Sequence, residues 1–451
     1  MKLAELLFKA GVVGEGGAGF PTWAKLEKPA DCYIVNAAEC EPLIETDKYL
    51  MRSFPEEIIR GTLAAAEAVG AKKRVIAIKE AYTEERAALL AASQRLGAEI
   101  EFVLMPSFYP AGDEQVMVWY VTGKSIPARG LPSAVDCVVD NVGTVRTIDA
   151  ALRGIPFTHK YLSMTGEVKK TVMLRVPIGT SFPECIAEAG PMLHEYAVIN
   201  GGPMMGLVLT EEARIKSSVV TKTTGNLLLL PPQHYLAQRS KLTIGVIKLR
   251  SRSSCIQCRF CTDLCPRWLI GQEMSPSKVM RGLWCEGELK SPEQLADAFG
   301  DALNCCACGL CELYSCPMNL SPRRVNQYFK GVLNSMGISQ KPNPHPEARP
   351  FIRNRFVPTD RLVARLDLLK YYHEKANDCI DYSPSSVLIP LKQGVGHPAV
   401  PVVEKGAHVA CGELIAEAAP DSISSNVHAS IDGVITEITA QYARIESEAA
   451  K

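Results

Sequence analysis

The 451-residue sequence predicts a multidomain α/β protein, with a doubly wound α/β domain first and a small all-β domain last. Three observations carry this reading. Strand-like and helix-like segments alternate through roughly the first 155 residues. Ten of the sixteen cysteines fall between Cys255 and Cys316. From about Ser385 the chain breaks into short apolar runs separated by glycine and polar residues. A chain of this length is also too long for a single hydrophobic core.

Leu3, Leu6, Leu7 and Ala10 share one face of a short, packed first helix. DCYIVNAAE (31–39) reads as a buried strand. PEEIIRGTLAAAEAVGA (55–71) is an amphipathic helix with Pro55 at its start and acids in its first turn. RVIAIK (74–79) is a strand, TEERAALLAASQRLGA (83–98) a helix opened by a capping Thr83, and IEFVLM (100–105) a strand. This alternation describes a Rossmann-like domain over 1–157. Short glycine-punctuated strands such as YLSMTGEV and YAVINGG make 158–225 a compact β-rich module. Residues 226–250 read as a connector. The cysteine-rich block 251–336 carries helical stretches such as SPEQLADAF and SPRRVNQYFKGVLNSM. Proline-rich QKPNPHPEARP begins an extended linker over 337–384, and the all-β domain covers 385–448.

Lys plus Arg and Asp plus Glu both total 49, and no basic stripe interleaved with aromatics occurs, which argues against a nucleic-acid binder. The most apolar run, Leu227–Pro232, is far short of the roughly 20 residues a membrane span requires. MKLAELLFKAGVVG lacks a signal peptide's apolar stretch and cleavage site, so a cytoplasmic location is expected. In a reducing compartment, closely spaced cysteines more often ligate metal than form disulfides.

CIQCRFCTDLCP places Cys255, Cys258, Cys261 and Cys265 in the spacing C-x2-C-x2-C-x3-C-P. Three thiolates so spaced can wrap one face of a cubane, while the fourth, just before proline, ligates the other cluster in two-cluster ferredoxins. A second motif, CCACGLCELYSCP, supplies Cys305, Cys308, Cys311 and Cys316. One [4Fe–4S] cluster is therefore assigned to Cys255, Cys258, Cys261 and Cys316, and the other to Cys305, Cys308, Cys311 and Cys265. The second motif has four residues, not three, before its last cysteine, which bears most on the cross-ligation by Cys316. Zinc also uses C-x2-C pairs, but it does not need three cysteines followed by C-P, twice. Cys306 is spare by register and read as a packed thiol. The remaining cysteines, 32, 40, 137, 185, 285, 379 and 411, are read as core residues, least firmly Cys40.

GVVGEGGAGFPTWAK (11–25) packs five glycines into nine residues. Such a loop lets backbone N–H groups approach a phosphate or a flavin edge, although a plain tight turn would use the same residues. It does not follow a strand, so it fails the dinucleotide fingerprint. Together with VNAAECEPLIETDKYLM (35–51), YPAGDE (109–114) and DNVGTVRTI (140–148), it resembles the flavin- and NADH-binding subunit of respiratory complex I, and more closely the RnfC component of the Rnf electron-transport complex. The resemblance continues through TGEV…VPIGTSFPECIAEAG…INGGPMMG, similar to a β-grasp soluble-ligand-binding (SLBB) module, and through both cysteine motifs. VLIPLKQGVGHPAVPVVEKGAHVACGELIAEA…VHASIDGVI resembles the barrel-sandwich hybrid domain that opens RnfC. Here that domain is last, the order of the cobalamin-reductase family of propanediol-utilisation microcompartments.

The resemblance implies FMN held by Gly14, Gly16, Gly17, Gly19 and Lys25, with Phe20 near NADH and Asn36, Glu39 and Glu41 lining flavin and nucleotide. It implies a second turn, Gly112, Asp113 and Glu114, beside the nicotinamide, and Asn141 and Thr144 beneath the flavin phosphate. Ala38, Cys40 and Asp140 depart from the complex I pattern, which bears more on NADH than on FMN. The last domain's turn, HASIDG (428–433), has no lysine for a covalent carrier role. No Asp-x-His-x-x-Gly motif occurs, so cobalamin is expected to dock transiently at the surface. His397 and His408 could be proposed as cobalt ligands but are more simply structural.

The implied activity passes electrons from NADH through FMN and two clusters to cob(III)alamin or cob(II)alamin, for coenzyme recycling of a diol dehydratase. An adenosyltransferase would receive the reduced product, and a microcompartment shell protein is a further implied partner. Two rivals remain: an electron-input component docked to a membrane complex as in Rnf, and a non-enzymatic iron–sulfur relay in a shell.

Overall fold

The carboxyl ends of four parallel strands define one side of the N-terminal domain. In this computed structural model, which describes residues 2–419 and 422–448, the strands run in the order Glu101–Met105, Lys73–Lys79, Cys32–Ala37, Cys137–Asn141. Their Val- and Ile-rich interiors are covered on both faces, as parallel sheets require. Helices Pro55–Ala68 and Val142–Leu152 pack on one face. The other face takes helix Glu114–Thr122 together with Leu269, Ile270 and Ile352 from later in the chain. The expected strands and helices of this domain are all present. Thr83 is not a cap, because it is already the first helical residue and Tyr82 precedes it without a side-chain bond. In the parallel register Asn36 lies beside Asn141, so the ends of strand Cys32–Ala37 and its outer neighbour Cys137–Asn141 open one crevice. Open α/β sheets bind their ligands at that kind of edge.

A six-stranded mixed sheet follows, in the order Cys379–Asp381, Val172–Pro177, His159–Gly166, Asn226–Leu230, Ala197–Asn200, Leu207–Leu209. Helix Phe182–Ala189, opened by a Ser181–Glu184 capping box, packs on it. Two expected boundaries change here. The supposed connector 226–250 opens with an interior strand, Asn226–Leu230, whose every residue is buried. The leucine run ending at Pro231 reads equally as a linker or a strand until its neighbours are known. The linker 337–384 is extended only in its proline-rich part. Val357–Pro358 pairs with Phe108–Tyr109, a helix spans Thr359–Arg365, and Cys379–Asp381 adds an edge strand to the mixed sheet.

The cysteine-rich block is helical, with Ile244–Ser254, Pro276–Gly282, Pro292–Phe299 and Pro322–Ser335 around a core in which Phe299 and Phe329 stack at 3.5 Å. The last domain is a pair of small sheets, four-stranded and three-stranded, whose core also takes in Val13, Phe157 and Ile178. Among the described residues no sheet closes into a barrel, and no helix is long and apolar enough to cross a membrane. Of the isolated cysteines, Cys32, Cys137 and Cys185 are buried and Cys40 and Cys285 half-buried, whereas Cys379 and Cys411 are exposed, contrary to the core expectation. Both exposed thiols lie at edges, one on the outermost strand of the mixed sheet and one in a turn.

Candidate functional site

The glycine loop is closed on itself. Val13 bridges Pro21, and the Gly14 amide donates to the Phe20 carbonyl at 2.8 Å. Gly14 and Gly19 are buried, Phe20 is half-buried, and the tip at Gly16 and Gly17 is exposed. Glu15 anchors the loop to the crevice: its amide donates to Thr144 Oγ1 at 2.9 Å, Thr147 donates to its carboxylate at 2.6 Å, and Lys160 pairs with it.

Asn141 caps helix Val142–Leu152 through the Gly143 amide and donates from Nδ2 to Asp47 at 2.6 Å. Lys25 turns inward, donating to the Val139 carbonyl at 2.8 Å and to Asp140 at 2.9 Å, while Tyr33 donates to the second Asp140 oxygen. Burial pulls the Lys25 ammonium down, but the Asp140 carboxylate more than offsets this and the net shift is upward. Lys25 therefore stays charged beneath the loop.

Three acids gather at the crevice. Burial, then the neighbouring Asp47, pushes Glu39 well above the usual carboxylate range. Burial pushes Asp47 up as well. Glu41 is pushed up by burial to about 7 and accepts from the Met204 amide at 2.8 Å, which turns it toward the mixed sheet. Lys79 donates to the Glu39 carbonyl at 2.7 Å.

Asn36 reaches across the strand ends to donate to the Gly112 carbonyl at 2.8 Å. A Cβ on Gly112 would lie 2.6 Å from the Ala38 carbonyl oxygen and 2.8 Å from Cys40 Cβ. Gly112→Ala is thus expected to force the two turns apart and to cost about 1–3 kcal/mol of stability, read as a lower thermal midpoint.

Asp113 is fully engaged. It caps helix Glu114–Thr122 and forms a two-pronged bridge to buried Arg267 at 2.7 and 2.8 Å. Glu114 is raised mainly by burial and lies in the field of Lys25. The crevice thus unites the predicted glycines with Lys25, Asn36, Glu39, Gly112, Asp113, Glu114, Asn141 and Thr144. Phe20 closes the loop, and Glu41 faces Met204. Sequence reading missed Glu15, Asp47, Lys79, Thr147, Lys160 and Arg267. Glu15, Asp47 and Thr147 lie inside the quoted motifs, but nothing in their spacing marks them.

The cysteines separate into the two expected sets. Cys255, Cys258, Cys261 and Cys316 line one apolar cavity with Met280 and Met318. Cys311 lies near Cys305, Cys265 and, from the first set, Cys261, while Cys308 lies near Cys265 and Cys311. Cys306 is half-buried and packs against the apolar cluster that contains Cys308. Left-handed backbone recurs two and four residues after the first cysteine of each motif, at Gln257 and Arg259, then at Ala307 and Gly309. Among the described residues no three metal-binding side chains gather as tightly as a single ion requires. Eight thiols in two sets of four suit a pair of cubanes, and the donor set is the soft one such clusters use.

The second set abuts the crevice. Tyr109 donates to the Cys308 carbonyl at 2.6 Å, and Arg267, two residues after Cys265, holds Asp113. Behind it, buried Arg239 bonds Glu312 at 2.8 Å as well as Asn319, Leu320 and Ser321. His408 pairs with Glu448 at 2.9 Å, and His397 is exposed at the edge of a small cavity.

Residues 7–150 match the Nuo51 FMN-binding domain, residues 254–321 the 4Fe-4S dicluster domain, and residues 374–451 the RnfC barrel sandwich hybrid domain. In fold, the chain resembles a chain of an NAD+-reducing [NiFe]-hydrogenase with a TM-score of 0.50 at 20% identity, covering 73% of this chain and 62% of that one. The C component of the Na(+)-translocating ferredoxin:NAD(+) oxidoreductase complex of Acetobacterium woodii is 32% identical over 58% of this chain and 57% of its own length. The cobalamin reductase PduS of Citrobacter freundii is 39% identical over 97% of this chain and 95% of its own. That of Salmonella typhimurium is 38% identical over 98% and 95%. With likeness sustained from end to end and over both cysteine motifs, the chain belongs to the PduS cobalamin reductase family.

Proposed function

We propose that this chain is an NADH-dependent oxidoreductase whose acceptor is cob(III)alamin or cob(II)alamin. Eight cysteines in two sets would hold two [4Fe–4S] clusters, as Cys255, Cys258, Cys261 and Cys316, and as Cys305, Cys308, Cys311 and Cys265. The crevice would hold FMN through the loop Gly14–Gly19, Lys25, Asn36, the Gly112 turn, Asn141 and Thr144. When bound, flavin and clusters together supply the conversion between a two-electron donor and one-electron acceptors.

The chain's own residues shape that chemistry. Burial, then the neighbouring Asp47, raises Glu39 well above the usual carboxylate range, which favours its neutral form beside an anionic dinucleotide. Lys25 and the helix start at Val142 supply positive potential at the floor of the crevice. We read 158–230 as a β-grasp module and assign the acceptor's dwell on the protein to a transient surface contact, with an adenosyltransferase as the receiving partner. Residence in a microcompartment fits the same reading.

The observation that carries this proposal is the contact of the crevice with the second cysteine set, through Tyr109 to Cys308 and Asp113 to Arg267. Anaerobic optical titration of iron-reconstituted, FMN-loaded protein with NADH should bleach flavin and cluster bands. Added hydroxocobalamin should then restore them as cob(II)alamin forms. If NADH bleaches nothing while both cofactors are present, electrons enter from another protein and the relay reading replaces this one.

A further inference from the structure

The last domain closes on the glycine loop, and the contacts are specific. Trp23 donates from Nε1 to the Ser424 carbonyl at 3.2 Å, and the Val395 amide donates to the Ala18 carbonyl at 3.2 Å. Ser425 donates from Oγ to the Gly11 carbonyl at 3.1 Å. Gly394 lies so close to Gly19 that a Cβ there would fall 2.2 Å from the Gly19 carbonyl oxygen. Gly19 is itself left-handed, at φ +65°, so both sides of this contact depend on a missing side chain.

Lys222, from the mixed-sheet domain, sits at the centre. It is 1% exposed. Its ammonium donates to the Gly11 carbonyl and to the Asn426 carbonyl, both at 2.7 Å, and its amide donates to Gln393 Oε1 at 3.0 Å. One side chain thus ties three parts of the fold: the start of the glycine loop, the mixed sheet and the last domain. Among the described residues no carboxylate faces it, and burial pulls its pKa down to about 7. Burying an amine without an acid is costly, and an apolar side chain would fill the same space at less cost. Its two main-chain acceptors lie at the base of the loop and on the last domain, which is where a fastening would act.

We propose that the last domain is a clasp that preorganises the glycine loop for flavin, with Lys222 as its positioning residue. Ordering a loop before binding removes an entropic cost that the ligand would otherwise meet. The inference rests on reading residues 11–25 as the flavin loop, and the test separates the two. In full-length, flavin-free protein, Lys222→Met and Gly394→Ala should each raise amide hydrogen exchange across residues 11–20. On reconstitution with FMN, the dissociation constant should rise on the order of tenfold, while iron content and exchange in the cysteine block stay unchanged. Ser425→Ala, a milder variant that removes only the hydroxyl on Gly11, should move the same readouts in the same direction by a smaller factor. Unchanged loop exchange and FMN affinity in the folded variants would overturn the clasp. If exchange rises but wild-type protein binds no FMN, the clasp stands and the flavin reading fails.

Discussion

Exchanging Cys311 for serine is expected to remove one cluster and leave the other. Iron per chain should fall by about half, one of two overlapping low-temperature paramagnetic signals should vanish after reduction, and NADH-driven cobalamin reduction should stop. The reason is placement. Cys311 is buried near Cys305, Cys261, Cys265 and Cys308, and the Cys308 carbonyl touches the crevice through Tyr109. Cys258 lies in the other set and is exposed, so Cys258→Ser should erase the complementary signal. The same measurement decides the crossing of the motifs. If Cys265 serves the second set, Cys265→Ser leaves the same residual spectrum as Cys311→Ser. A residual spectrum like that of Cys258→Ser would mean that each motif keeps its own fourth cysteine. The extra residue before Cys316 makes that comparison worthwhile.

Arg239→Met is expected to be the most destabilising single change outside the cysteines. Arg239 and Glu312 have side chains only 6% and 1% exposed, and the guanidinium also satisfies Asn319, Leu320 and Ser321. Removing one partner of such a pair leaves a buried charge and typically costs about 3–5 kcal/mol. Glu312 lies between Cys311 and Cys316, so the loss should be felt at the second cysteine set. A lower thermal midpoint should accompany reduced iron retention. Arg239→Met combined with Glu312→Leu should recover part of the midpoint, because the buried carboxylate goes as well, while Arg323, 3.8 Å from Glu312, keeps some access to water. A midpoint within a degree or so of wild type for Arg239→Met alone would show that water already reaches the pair.

The parts of this protein that were legible in the sequence are those whose chemistry repeats locally. The two cysteine motifs have fixed spacing, and Cys255, Cys258, Cys261 and Cys316 line one cavity. The Rossmann-like strands and helices follow from period and from Pro55. What was not legible depends on partners far along the chain. Asn226–Leu230 is an apolar run whose identity as an interior strand requires His159–Gly166 on one side and Ala197–Asn200 on the other. Cys379–Asp381 becomes a strand only because Val172–Pro177 offers it an edge. Among site residues, Gly112 and Asn141 came from their motifs, but Lys160 and Arg267 reach the crevice from other domains. Lys222 lies in the polar run TKTTGN, with nothing to mark a buried amine.

The contact between the glycine loop and the last domain also bears on how the chain can be rearranged. Residues 11–23 touch residues 394–426 directly, so the two regions are neighbours although about 400 positions separate them. A last domain joined ahead of the first helix, Leu3–Lys9, by a linker long enough to span the gap could keep these contacts. A single architecture is therefore reachable from two gene orders. The barrel-sandwich unit can lead, as in the Rnf-type arrangement, or follow, as here, without a new interface having to evolve. Circular permutation is for this fold a small step in space, however large it looks in sequence.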